Sequence, residues 1–318
     1  MNDPHVATIA TGLMQAIGRG TIDSVERLRG GGNNRVYRVT AADAHFLLKL
    51  YHYDPDDSRD RTAAEFEFSR FAWRGGIRSI PEPLAVDHTF HAALFAYVDG
   101  SAPRADAIDL ADIDQALALF AALNGLRDAP ASTALRFAAE ACFSAADHLD
   151  VVAARVRRLE RIAIDGEIDR AAGKFVTEEL APTWQHLAEH RRAALLELPA
   201  GERTLRPEQR CLSPSDFGFH NALLRRDGTF VFHDFEYAGW DDPAKTVCDF
   251  FCQPQVPIAL DYWDHVVAGI DAAVGADSCL ADRARLLLDV YRIKWCCIAL
   301  NEFPVSYTHL TLPTNREV

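Results

Sequence analysis

No apolar run in these 318 residues is long enough to span a bilayer. The N-terminus, Met1-Asn-Asp-Pro-His5, has neither the basic nor the apolar region of a signal peptide. The expectation is a soluble, cytoplasmic protein with no membrane partner. Basic residues are few against acidic ones: 33 Lys and Arg face 46 Asp and Glu, a formal net charge of −13. That balance argues against nucleic acid as a partner, because binding its phosphates needs a basic surface. It is compatible with a cationic small molecule, although acidic surfaces also serve solubility. The seven cysteines show no C-x-x-C spacing. Cys248 and Cys252 are near each other, but no His or second Cys pair completes a metal site, so neutral thiols in a reducing compartment are expected. Neither an internal repeat nor a low-complexity linker is found. The length suits one two-lobed protein or two modest domains with ample core.

The most informative stretch lies toward the C-terminal end: Asp216-Phe-Gly-Phe-His-Asn221, followed by His233-Asp234-Phe-Glu236. Ala222-Leu223-Leu224 and Phe230-Val231-Phe232 read as two short paired strands, with Arg225-Arg226-Asp227-Gly228 as their turn. Such a hairpin would bring Asn221 and Asp234 to one rim, where both oxygens could reach one Mg²⁺, a cation that prefers hard oxygen ligands. An Asp at 216 then has the place of a base beside a metal. Asp-x-x-x-x-Asn alone is a weak signal; the order of the parts gives it weight. Phosphoryl transfer needs such a set, because its anionic transition state is positioned and neutralised rather than attacked covalently.

Upstream, Arg29-Gly30-Gly31-Gly32-Asn33-Asn34 forms a glycine-rich turn, and Phe46-Leu47-Leu48-Lys49-Leu50 reads as a buried strand carrying one Lys. Adjacent glycines let backbone approach phosphates closely, which a Cβ would prevent. Lys49 can meet phosphate oxygens as a point charge. Asn33-Asn34 fits an amide-capped bend or a simple Asx turn.

Together these segments resemble the aminoglycoside phosphotransferase/choline kinase family, small-molecule relatives of protein kinases, from about Val25 to about Pro254. The resemblance implies an α+β, two-lobed protein-kinase-like fold, with a small antiparallel-sheet N-lobe over residues 1–98 and a mostly helical C-lobe over 99–303. It implies Asp216 as catalytic base, Asn221 and Asp234 as Mg²⁺ ligands, and Lys49 as the phosphate-binding lysine. Gly30, Gly31, Gly32 and Asn33 would form the phosphate turn. Glu65, on a helix beginning near Arg61, would pair with Lys49, with Glu67 as the alternative; the two cannot share a helix face. Ala93 to Gly100 would be the hinge whose backbone, around Phe95 and Tyr97, binds adenine. The cofactors implied are ATP, less readily GTP, and Mg²⁺; the partner is a small-molecule hydroxyl acceptor. The family's His two residues before the catalytic Asp is Pro214 here, and a strict G-x-G-x-x-G is absent.

A catalytically inactive nucleotide-binding or regulatory module is the main alternative. A protein-directed kinase and a helical scaffold with accidental motifs are more distant ones. Leu110–Leu126, Ala134–Ile164 and Glu167–Leu198 have helical apolar spacing. His148, His186 and His190 fall on them and read as helix-surface histidines. Glu236, Asp241, Asp242, Asp261 and Asp264 read as acceptor-pocket candidates, most of them solvated, and Asp249 as a brace for the catalytic loop. Proline at 81 and 83 is expected to end the Glu65 helix. Val305 to Thr314 resembles the conceptual translation of a sequencing-library adapter, so the native frame is expected to end near Phe303 or Pro304, with 304–318 a non-native tail.

Overall fold

A computed structural model of the chain describes residues 4–28, 34–53, 59–162, 166–197, 203–275, 279–301 and 303. The glycine-rich turn and the 304–318 tail lie outside them. In chain order the elements are α1 (Pro4–Ala16), β1 (Ser24–Arg27), β2 (Arg35–Ala41), β3 (Ala44–Leu50), α2 (Arg61–Arg74), β4 (Pro83–Asp87) and β5 (Ala92–Ala96). There follow α3 (Leu110–Asn124), α4 (Ala145–Leu159), α5 (Glu167–Phe175), α6 (Ala181–Glu197), β6 (Cys211–Ser213), β7 (Ala222–Leu224) and β8 (Phe230–Phe232). The last are β9 (Gly239–Asp241), α7 (Pro243–Cys252), α8 (Trp263–Val274) and α9 (Leu280–Ala299). Two compact units result: residues 1–139 with 212–240, and residues 140–211 with 241–318. Among the described residues no helix is long and apolar enough to cross a membrane.

In the first unit a five-stranded antiparallel sheet runs in the order β1-β2-β3-β5-β4. Strand periodicity decides what each face carries. Phe46, Leu48 and Leu50 of β3 point to one side, where they join Tyr37 and Val39 of β2 and are covered by Ile9, Leu13 and Met14 of α1. Burying each such side chain contributes about 1.5–3 kcal/mol. Lys49 must then point to the other side, the side of Tyr51, Phe66 and Phe95. α2 brings Phe66 to that side. It starts where Asp60 accepts a hydrogen bond from Ala63 N–H at 2.9 Å, an N-cap. It ends at Gly75, followed by Gly76 at φ +93°, well before Pro81. The glycines stop this helix, not the prolines.

β7 and β8 pair antiparallel, Ala222 opposite Phe232 and Leu224 opposite Phe230. Gly228 takes the left-handed turn conformation at φ +83°, and Asp227 accepts from Thr229 N–H and Oγ–H. Phe219 packs on both Phe230 and Phe232, fixing the preceding loop on the hairpin.

The second unit is helical, with α9 packed on α7, α4 and α6. Its sequence expectations need correction in several places. Residues 134–144 are not helix, so only α4 forms within the expected Ala134–Ile164 range, while α3 and α5–α6 fall within the other two. His148 on α4 is buried, with Nε2 2.9 Å from Asp242 Oδ2 and Nδ1 2.8 Å from the Tyr291 hydroxyl. Arg283 donates to both oxygens of Asp242 at 3.0 Å. Asp241 accepts from Lys245 at 2.6 Å and is fully buried, so neither it nor Asp242 is solvated. Asp249 accepts from Lys294 on both oxygens at 2.8 Å and from Trp295 Nε1. It braces α7 to α9 rather than the loop at Asp216.

Candidate active site

Lys49 occupies the centre of the site. Its ammonium donates to Glu65 Oε2 at 2.6 Å and to Asp234 Oδ1, and it lies over the Tyr51 ring. Tyr51 O–H donates to the same Glu65 oxygen at 2.8 Å. Ala93, directly opposite Lys49 on β5, is small enough to leave this face of the strand open for the ammonium. Burial alone would push the ammonium's pKa down, but Asp234, Glu65 and Glu236 outweigh it and hold the group charged, well above its ordinary value. Burial raises Glu65, with Lys49 offsetting part of the rise. Asp234 is also opposed by burial, yet Lys49 brings it below the usual carboxylate range. Glu67 faces elsewhere: it is half-buried, and its Oε2 lies 4.0 Å from Arg136 Nη2.

The loop before β7 presents Asp216. Its Oδ2 accepts from Asn221 Nδ2 at 3.1 Å, and the same amide donates to the Asp216 carbonyl at 3.0 Å. His220 Nε2 lies 3.1 Å from Oδ1, within hydrogen-bond reach. This ring was not singled out from sequence. Asp216 and His220 stand four residues apart, a spacing that can place both on one turn, and this is the signal that would have found it. The side chain at 214 is proline, so the imidazole that meets Asp216 comes from downstream. Ser215, Asp216 and Asp234 hold φ of +47°, +45° and +68°. Such left-handed backbone at non-glycine positions is costly and concentrates at functional loops.

His233 N–H donates to Asn221 C=O at 2.9 Å, which sets Asp234 beside the Asp216–Asn221 loop. Glu65, Asp234 and Glu236 can bring one carboxylate oxygen each within 4.8 Å of one another. Lys49 already bonds two members of that cluster, Glu65 and Asp234, so the group as it stands is an ammonium site. A hard cation would be held at its edge by Asn221 and Asp234. Asn221 turns its amide nitrogen to Asp216, leaving Oδ1 as an acceptor, and Asp234 bonds Lys49 through Oδ1, leaving Oδ2. Glu236 is buried, accepting from Asn34 Nδ2 at 2.7 Å with Arg61 Nη1 3.7 Å away. Asn34 thus serves the Glu236 carboxylate, and its Oδ1 accepts from His52 N–H at 3.1 Å.

Phe95 lies in β5 and packs edge-on to Phe66; Tyr97 follows the strand, with its N–H toward His45 C=O at 3.4 Å. Gly100 leaves β5 behind and sits tight against Leu223 and Leu224, where an added Cβ would meet Leu223 Cβ at 3.0 Å. Gly30, Gly31, Gly32 and Asn33 lie outside the described residues.

Residues 24–286 match the profile of the Phosphotransferase enzyme family (APH). The chain belongs to this family. As a phosphotransferase it shares its fold with solved structures of low identity. A streptomycin–ATP–APH(2")-IIa ternary complex is 16% identical over 95% of this chain and 94% of that one, with a TM-score of 0.61. A choline/ethanolamine kinase family protein from Mesorhizobium loti is 18% identical over 88% and 79%, with a TM-score of 0.54. The macrolide 2'-phosphotransferase MphH from Brachybacterium faecium is 17% identical over 95% of each chain, with a TM-score of 0.57. Among curated proteins none matches the chain. At these identities the likeness carries the fold of the phosphotransferase, not its acceptor.

Proposed function

We propose that this phosphotransferase moves the terminal phosphoryl group of ATP to a hydroxyl of a small-molecule acceptor. The observation that carries the reading is one buried ammonium, Lys49, held between Glu65 and Asp234, in the same unit as a carboxylate, Asp216, oriented by Asn221 and His220. In this reading Lys49 turns from Asp234 toward nucleotide phosphates while Glu65 keeps it in place. Asp216 accepts or orients the acceptor's proton, and Asn221 and Asp234 hold Mg²⁺. The metal would neutralise charge on the phosphate oxygens. Most of the rate then comes from positioning and charge neutralisation, with general-base help the smaller part.

The lobe division at about residue 98, the phosphate turn at Gly30–Asn33 and an adenine-binding hinge around Phe95 and Tyr97 belong to the same proposal. So does a cytoplasmic setting, which suits the free thiols among the described residues. The net charge of −13 favours an acceptor of cationic character over nucleic acid. Neighbours named for streptomycin, macrolides and choline or ethanolamine are consistent with a small polar alcohol as the acceptor class.

The test is transfer of labelled phosphate from ATP into a metabolite pool, with Asp216→Ala and Asp234→Ala beside the parent. Both variants should lose turnover by about 10²–10⁴-fold. Turnover retained in either one overturns the assignments. A parent that binds ATP with Mg²⁺ but transfers nothing would point instead to an inactive nucleotide-binding module.

A further inference from the structure

One hydrogen bond in the first unit joins residues 202 positions apart: Asn34 Nδ2 donates to Glu236 Oε2 at 2.7 Å, and both side chains are buried. The other end of the Asn34 amide is also committed, with Oδ1 accepting from His52 N–H at 3.1 Å. Asn34 thus grips the chain on both sides of the Lys49 segment: it precedes β2, whose Val36 lies opposite Lys49, and it holds the residues that follow β3. The second oxygen of Glu236 faces Arg61 at 3.7 Å, at the start of α2, one turn before Glu65. Glu236 itself stands two residues after Asp234. A single carboxylate therefore touches, through Asn34 and Arg61, the strand pair that carries Lys49 and the helix that carries Glu65, while its own loop carries Asp234.

We infer that Glu236 is a positioning residue, which fixes the Lys49–Glu65–Asp234 geometry by accepting from Asn34, and that this bond sets nucleotide affinity. The inference rests on the phosphoryl-transfer reading for its consequence, but not for its geometry. A buried carboxylate beside two other carboxylates is costly unless it is hydrogen-bonded, so the Asn34 donor keeps Glu236 in place as much as Glu236 keeps Asn34. The polarity of the pair is what matters: an amide N–H must meet an oxygen acceptor. Reversing the pair preserves that rule. An Asp at 34 can still accept from His52 N–H and can take a second bond from a Gln amide at 236.

The experiment compares Asn34→Asp, Glu236→Gln and the combined Asn34→Asp/Glu236→Gln protein with the parent. Asn34→Asp sets two carboxylates against each other and should raise KM for ATP by about tenfold or more. Glu236→Gln keeps an acceptor for Asn34 but turns an amide N–H toward Arg61, so it should raise KM by less than Asn34→Asp does. The combined protein should return KM to within about threefold of the parent, with the Mg²⁺ requirement unchanged. A second readout needs no nucleotide. Labelling of Lys49 by an amine-reactive reagent, followed by peptide mass spectrometry, should rise several-fold in Asn34→Asp and fall back in the combined protein. If the parent neither binds nor turns over ATP, the phosphoryl-transfer reading fails while the labelling pattern still decides the positioning role. The inference is overturned if the combined protein stays as defective as Asn34→Asp in labelling. It is equally overturned if Glu236→Gln alone raises the Mg²⁺ requirement about tenfold, which would make Glu236 a metal ligand.

Discussion

Asn124 closes both backbone hydrogen bonds of Leu212: its Oδ1 accepts from Leu212 N–H at 2.9 Å, and its Nδ2 donates to Leu212 C=O at 3.2 Å. The same amide nitrogen reaches back to Phe120 C=O at 2.9 Å, so the last residue of α3 acts as a strand edge for β6. Leu212 stands four residues before Asp216, and this bracket fixes where the loop carrying Asp216 begins. Asn124→Leu should fill similar volume while orphaning two buried backbone groups, at about 1–3 kcal/mol each. Urea denaturation should show a loss of about 2–6 kcal/mol with unchanged m-value. A loss below about 0.5 kcal/mol would mean that the bracket contributes nothing.

Where local chemistry decided structure, the sequence was legible. The helix beginning near Arg61, the buried strand carrying Lys49 and the Arg225–Gly228 turn were all read from it, and each rests on rules acting within a few residues: the Asp60 cap, strand alternation and the Asp227–Thr229 bonds. Those same local rules set Lys49 opposite the α1-covered face of β3. Long-range polar partners were not legible. His148 looks like any helix histidine until Asp242 and Tyr291, 94 and 143 residues away, arrive beside it. Asn34 and Glu236 are in the same position. Residues 134–139 fail as helix for a tertiary reason: Arg136 C=O, Ala138 N–H and Ala139 N–H pair with Trp240 and Tyr237, and an extended backbone wins over Ala-rich helix propensity.

Removing the central ammonium tests two effects at once. Lys49→Met should lower phosphoryl transfer by at least about 10²-fold. It also leaves Glu65 and Asp234 without their counter-charge, at a cost of about 3–5 kcal/mol near pH 7. Burial already raises Glu65 and would raise it further without Lys49. A carboxyl raised in the folded state contributes stability below its ordinary value that is lost as pH rises through the raised one. The variant should therefore recover stability relative to the parent as pH falls from 7 toward 5. A deficit that does not change over that range would contradict the charge assignment.

Gly239, at the start of β9, has no room for a side chain. A Cβ there would fall within 3 Å of the backbone of Arg136, Phe137 and Ala138, the segment that pairs with Tyr237 and Trp240. Backbone atoms cannot swing aside as a flexible side chain would. Gly239→Ala should thus cost about 1–3 kcal/mol as an overpacked site. Because this segment runs on from Asp234 and Glu236, the variant should also lose transfer activity well below its melting temperature. Gly173→Ala, in α5 with nothing near the added carbon, is the control and should be neutral or slightly stabilising.

The buried His148–Asp242 pair gives stability a pH dependence of defined sign. Burial opposes the imidazolium, but Cys142 and Asp242 outweigh it and hold His148 up at about 10. Asp242, opposed by burial as well, is held below the usual carboxylate range by Arg283 and His148. A histidine raised in this way contributes stability that is complete below its ordinary value of 6.5 and is lost as pH rises toward 10. The Asp242 contribution is present above its ordinary value of 3.8 and is lost only as pH falls through the depressed one. Between pH 6 and 10 Asp242 is therefore constant, and of this pair His148 is the member that varies. His148→Gln keeps a neutral side chain of similar reach, and Arg283 still pairs with Asp242, so the variant should fold. Urea denaturation of parent and variant at pH 6, 7, 8, 9 and 10 gives the stability difference at each pH. That difference should be a few kcal/mol at pH 6 and should shrink steadily toward pH 10. A difference that stays flat across this range would show that His148 is neutral in the folded protein, with Asp242 held by Arg283 alone.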